Sequence, residues 1–165
     1  MKNYLIIGNG VAGTTAAEEI RRHDDHGEIT ILTEETLPFY YRIRLNDYIS
    51  GEIGEQALIA RKPEWYAEHK ITLKTGIKAT GAEPDKQVVI TSSFERFHYD
   101  SLLIATGSRS FVPPIKGSDK QGVFTLRTVD DARLIISFCE HVNKVVLIGG
   151  GLLGLVTGKA LRRRG

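Results

Sequence analysis

The sequence predicts an α/β fold built on a parallel sheet with a small antiparallel meander, and three observations carry the prediction. Short β-branched and apolar runs alternate with helical stretches, the pattern of βαβ units. Two Gly-x-Gly-x-x-Gly turns, Gly8-Asn9-Gly10-Val11-Ala12-Gly13 and Gly149-Gly150-Gly151-Leu152-Leu153-Gly154, each follow such a run and open a helix. Between residues 78 and 99 the alternation gives way to three short strand-like runs with turn residues between them.

Taken in order, Tyr4 to Ile7 reads as a buried parallel strand and Val11 to Arg22 as a packed helix. Ile29 to Thr33 is the next strand, closing one right-handed βαβ unit. Pro63 suits a helix N1 position, so a short helix from Glu64 to Lys70 precedes the strand Ile71 to Lys74. Lys78 to Ala82, Gln87 to Thr91 and Arg96 to Tyr99 form the meander, with Pro84-Asp85 as one of its turns. Ser101 to Ala105 is a central strand ending at Thr106-Gly107-Ser108. Pro113-Pro114 and Gly117-Ser118 have linker composition, which puts a domain boundary between about residues 108 and 118. A helix from Val129 to His141, a strand from Lys144 to Ile148 and a helix from Leu152 to Arg164 follow. A Rossmann-like domain needs more parallel strands than this, so residues 113–165 read as a linker and the truncated start of a second Rossmann-like domain after a first over 1–112. The expectation is that the chain is a fragment or truncated product.

Composition bounds the function classes. The 165 residues carry 22 basic and 20 acidic side chains, and a net charge of +2 is too small for a nucleic-acid footprint or a membrane patch. No apolar run approaches the ~18 residues of a membrane span, and the chain starts directly in a strand without a leader, which predicts a cytoplasmic protein. The single cysteine, Cys139, excludes an internal disulfide or a cysteine metal cluster. It falls on the apolar face of a helix, where a packed thiol is expected.

The chemistry expected of the first Gly turn is specific. Gly8 permits the tight turn, Gly10 lets a pyrophosphate approach the backbone and Gly13 lets the helix pack closely. The helix macrodipole favours the anion there, and Glu34, about 20 residues on, can accept hydrogen bonds from ribose hydroxyls. Arg42 and Arg44, set among Pro38-Phe39-Tyr40-Tyr41, combine fixed positive charge with aromatic surface, which suits a flat ring on a diphosphate tail. Two Gly turns imply two dinucleotides and electron transfer between them.

These pieces resemble the FAD-dependent pyridine nucleotide-disulfide oxidoreductases over essentially the whole chain, and within them the flavin domain of NAD(P)H-nitrite reductases and NADH:rubredoxin oxidoreductases. The resemblance is carried by the first Gly turn, Tyr40-Tyr41-Arg42 leading to Leu45-Asn46, Leu103 to Arg109 with its Ala-Thr-Gly element, Pro113 to Gly117, Leu126-Arg127-Thr128 and Asp130-Asp131-Ala132. It implies that Gly8, Gly10, Val11, Ala12 and Gly13 meet the FAD pyrophosphate and Glu34 the adenosine ribose. It places Arg42 on the flavin side, the Ala79 backbone at the adenine, and Ala105, Thr106 and Gly107 beside the cofactor. Gly149, Gly151 and Gly154 would belong to the NAD(P)H turn of the complete parent enzyme. No catalytic acid, base or metal ligand within the chain is implied.

Two departures qualify the resemblance. No cysteine pair lies near the flavin, so electrons cannot leave through an internal dithiol. Where many members pair a lysine with a glutamate near flavin N5, this chain has Asp47 and Val156, with Lys159 one helical turn beyond the latter. The resemblance implies hydride transfer from nicotinamide to FAD and then electron transfer to an iron-sulfur, rubredoxin-type or nitrite-reducing acceptor protein or domain. The alternatives are a non-catalytic, truncated FAD-binding module and another α/β enzyme such as a short-chain dehydrogenase. The acceptor, the choice of NADH or NADPH and homo-oligomerisation stay open.

Overall fold

The computed structural model describes all residues, Met1–Gly165. The chain forms two compact units, one of residues 1–40 and 59–108 and the other of residues 41–58 and 109–165.

The first unit is built on a four-stranded parallel sheet. Its strands are β1 (Asn3–Ile7), β2 (Glu28–Leu32), β3 (Ile71–Lys74) and β7 (Ser101–Ile104), in the order β3-β2-β1-β7. Helix α1 (Val11–His23) connects β1 to β2, and α3 (Pro63–Glu68), with its proline at the start, leads into β3. The strands β4 (Ala79–Glu83), β5 (Val88–Thr91) and β6 (Arg96–His98) make the expected antiparallel meander. One core cluster joins Ile6, Ala17, Ile29, Ile31, Tyr66 and Ile71, placing α1 and α3 against one face of the parallel sheet. On the other side, Leu5 and Leu32 pack with Val89, and Ala79, Phe97 and Leu102 add to that layer.

Arg21 secures the end of this unit at which the strands begin. Its guanidinium donates to the backbone carbonyls of Asp24 at 2.7 Å and of His69, Gly27 and Lys70 at 2.9 Å, so one side chain satisfies the turns entering β2 and β3. The opposite end, where the parallel strands finish, is left to loops, the usual place for ligands in such sheets.

The second unit is helical. It holds α2 (Leu45–Ser50), α4 (Val129–Cys139) and α5 (Leu152–Arg164). Thr128 and Asp131 form a reciprocal capping box that starts α4, consistent with its sharp onset at Val129. Leu45, Ile49, Leu58, Val129 and Ala132 are buried. The Arg133 guanidinium donates to both oxygens of Glu55, at 2.6 and 2.7 Å, and to Asp130 at 2.6 Å. Arg163 pairs with Glu52, and Arg164 donates to the Ile49 carbonyl at 2.9 Å, tying α5 to α2.

One expected element does not form. Residues 144–148 pair with no strand, although Lys144 to Ile148 has a strand-like composition. A strand exists only through its neighbours, and here Val146 is 85% and Ile148 80% exposed. A groove of about 630 Å³ runs beside this segment, lined among others by Cys139, Asn143, Leu147, Gly158 and Arg162. Cys139 is half-buried. No helix is long and apolar enough to cross a membrane.

Candidate functional site

The first Gly turn forms where β1 ends, at the loop end of the parallel sheet. Gly8 has φ +111°, a conformation open to glycine, and its N–H donates to the Leu32 carbonyl at 2.7 Å. A Cβ at Gly8 would collide with the Ala105 carbonyl oxygen and lie 3.1 Å from the Thr106 nitrogen. The Ala105 N–H in turn donates to the Ile7 carbonyl at 2.8 Å. The Gly turn and the Ala-Thr-Gly element, nearly a hundred residues apart in sequence, are therefore packed backbone to backbone. A Cβ at Gly13 would strike the Gly8 carbonyl, so the third glycine is what seats α1 on the turn.

Gly10 differs from its two neighbours in the motif. It caps α1 with φ −88°, and a Cβ there would meet nothing within 4 Å. The space over the helix start is open, Val11 is 69% exposed, and Ala12 is exposed. The first turn of α1 contains no acidic side chain, so no carboxylate of its own competes for the unpaired N–H groups of that turn. This is a cradle for an anion, with a helix of 13 residues beneath it. The residues present fit a dinucleotide pyrophosphate.

The other candidates of the first unit lie at the same end of the sheet. Glu34 stands two residues past β2, exposed, with its carboxylate 3.2 Å from Lys78 Nζ. Ala79 opens β4, opposite Thr91 on β5, and is packed into the layer of Leu5, Leu32 and Val89. Thr106 is exposed, and Gly107 takes φ +72°, turning the chain after β7.

Two interactions that sequence reasoning missed hold the loop after β2. The Tyr40 hydroxyl donates to the Glu35 carboxylate, and the Phe39 N–H donates to the Tyr66 hydroxyl at 3.1 Å. Tyr66 is deeply buried on α3, and burial pushes its phenol above the usual tyrosine range, so it keeps its proton. The only sequence signal for this role is an aromatic residue in an apolar stretch, which ordinarily means core packing.

Arg42 belongs to the second unit, in a short 3₁₀ turn over Arg42–Arg44. Its guanidinium donates to the Arg127 carbonyl at 3.0 Å and is half-buried. Arg44 donates to the Ala57 carbonyl at 3.0 Å and pairs with Asp47 at 3.5 Å. Asp47 is thus the ion-pair partner of the turn that leads into its helix rather than an isolated charge.

The second Gly turn repeats the backbone of the first. Gly149 has φ +111°, Gly151 caps α5, and a Cβ at Gly154 would press on the Gly149 carbonyl. Its surroundings are different. A Cβ at Gly149 would meet nothing within 4 Å, and Leu152 and Leu153 are 77% and 81% exposed. Val156 is exposed as well.

Comparison with known proteins matches residues 2–165 to the pyridine nucleotide-disulphide oxidoreductase family model. The chain is 37% identical to the assimilatory nitrate reductase electron transfer subunit of Bacillus subtilis, over 99% of this chain and 21% of that protein. It is 35% identical to the nitrite reductase (NADH) large subunit of Escherichia coli, over 97% of this chain and 19% of that protein. The crystal structure of NADH:rubredoxin oxidoreductase from Clostridium acetobutylicum superposes with a TM-score of 0.90 at 32% identity, covering 99% of this chain and 42% of that one. The chain thus spans about a fifth of the length of these curated relatives.

Proposed function

The chain belongs to the pyridine nucleotide-disulphide oxidoreductase family, and from that premise we propose that it is the FAD-binding part of an NAD(P)H-dependent oxidoreductase. In this reading residues 1–112 are the FAD-binding domain, and residues 113–165 are a linker and the opening βα unit of an NAD(P)-binding domain. The observation that carries it is the first Gly turn, packed on the Ala105-Thr106 backbone and open at Gly10.

The resemblance to the family and the open first Gly turn support the following division of labour. The N–H groups at Val11, Ala12 and Gly13 would hold the FAD pyrophosphate with the positive end of α1 behind them. Glu34 would accept the adenosine ribose hydroxyls, moving off Lys78 or sharing it. Ala79 would offer its backbone to the adenine, and Thr106 and Gly107 would line the cofactor beside the turn. Arg42, anchored through Arg127, would face the flavin side. Bound FAD would supply the redox chemistry, accepting hydride from a nicotinamide and releasing electrons to an acceptor. The protein contributes binding and orientation, so none of its side chains has to act as a catalytic acid or base. Rubredoxin and nitrite are the acceptors that the relatives' names point to; an iron-sulfur acceptor and a cytoplasmic location are further parts of the proposal.

The exposed residues around the second Gly turn favour a second reading, in which this chain by itself holds FAD without reducing it. Mixing the FAD-loaded chain with NADH or NADPH without oxygen separates the two. Little or no bleaching of the flavin is expected from the 165-residue chain, and rapid bleaching at stoichiometric nucleotide would place a working nicotinamide site within it. Purified protein that takes up no FAD on refolding would sink both readings.

A further inference from the structure

We infer that Tyr66 is a positioning residue for the dinucleotide, holding Asn9 and thereby the first Gly turn in register with the loop that carries Glu34. The inference rests on the FAD reading of that turn.

Three segments meet at one phenol. The Tyr66 hydroxyl accepts the Phe39 N–H at 3.1 Å and lies 3.0 Å from Asn9 Oδ1, which also accepts the Thr14 hydroxyl at 3.2 Å. The phenol accepts from Phe39 and donates its own hydrogen to Asn9 Oδ1. The chain of hydrogen bonds thus runs from Phe39 through Tyr66 to Asn9, whose oxygen faces Tyr66 and Thr14. Asn9 is 9% exposed and its Nδ2 has no partner, so the amide is held through its oxygen alone.

The need for such a hold follows from the composition of the turn. In Gly8-Asn9-Gly10 only the middle residue has a side chain, and the glycines on either side are the least restrained residues available. Asn9 is therefore the one side-chain handle by which the rest of the fold can set the turn, beside the backbone contacts of Gly8 with Leu32 and Ala105. Tyr66 itself is fixed by the core, with its ring among Ile6, Ala17, Ile29, Ile31 and Ile71. Through Phe39 the same hydroxyl holds the far end of the loop that begins at Glu34. Both parts of the dinucleotide site are thus referred to one atom before any ligand arrives, which lowers the ordering cost of binding.

Tyr66→Phe in the full chain removes that atom and keeps the ring. The FAD dissociation constant, read by flavin fluorescence quenching, is expected to rise about tenfold, and the rise in Tm on adding FAD is expected to shrink. A merely structural hydroxyl would lower the Tm of the free and FAD-loaded chains equally and leave the dissociation constant of the folded protein unchanged, which would overturn the inference. Asn9→Ala attacks the same link from its other end and carries the test if Tyr66→Phe does not fold. The double variant is expected to bind FAD no worse than the weaker single variant, and fully additive losses would contradict a shared link. Wild-type chain that takes up no FAD refutes the underlying reading, whereas tight wild-type binding with an unaffected Tyr66→Phe refutes the inference alone.

Discussion

The two Gly turns have nearly the same backbone and different neighbours. Gly8 and Gly149 share φ +111°, and each turn opens a helix of 13 residues. Around the first, the Ala105 carbonyl leaves no room for a side chain at Gly8, and the Gly8 carbonyl leaves none at Gly13. Around the second, a Cβ at Gly149, Gly150 or Gly151 would meet nothing. Local sequence is therefore enough to make the turn. A sheet on both sides of the preceding strand is what packs the first turn and leaves it open only at Gly10.

The largest effect expected from this contrast is on folding. Gly8→Ala combines a left-handed φ, worth about 1–3 kcal/mol, with a collision against fixed backbone, worth about 1–3 kcal/mol more. It should lower the Tm of the chain steeply and abolish FAD uptake. Gly149→Ala carries only the conformational strain, so a thermal melt should show a smaller loss and FAD should still bind. Equal losses from the two variants would break the comparison.

Gly10→Val sharpens the contrast by separating the site from the fold. With open space around Gly10 and φ −88°, the free chain should melt within a few degrees of wild type, since a substitution away from packed features shifts stability by roughly 0.5 kcal/mol. FAD binding should nevertheless fall severely, because the new side chain fills the space left for the pyrophosphate. Glu34→Gln is a milder change in the same site. Losing one charge-assisted hydrogen bond, worth about 1.5 kcal/mol, should weaken FAD roughly tenfold without altering the melt of the free chain.

The smallest effect concerns the second unit, which ion pairs hold where the first has a sheet. The hydrogen bonds from Arg133 keep the Glu55 carboxyl below the usual glutamate range, and the Tyr48 hydroxyl adds to this. A depressed carboxyl stabilises the fold at pH above its unfolded value and loses that contribution as pH falls through its folded value. Acidification below about pH 4 should therefore loosen the packing of α4 on residues 41–58. Glu55→Gln should flatten that part of an acid titration followed by circular dichroism.

Much of this was legible in the residues, for identifiable reasons. The strands of the parallel sheet, α1 and the meander follow from apolar runs and turn residues that act locally. The contact of Gly8 with Ala105 has no local signal, since it depends on β7 lying beside β1. Residues 144–148 failed as a strand because composition describes a preference and only a partner can satisfy it. Arg133 and Glu55, 78 residues apart, could not be paired from sequence, because helices bring them together only after folding. Tyr66 looked like core and is core, yet its hydroxyl does something that its hydrophobicity does not reveal.

One Gly turn in this chain is proposed as a dinucleotide site and the other as only a turn. Counting the FAD retained per chain after gel filtration, for wild type, Gly10→Val and Gly151→Val, tests this most directly. One FAD per chain, lost in Gly10→Val and kept in Gly151→Val, is the predicted result. Two per chain, none, or a loss confined to Gly151→Val would contradict it.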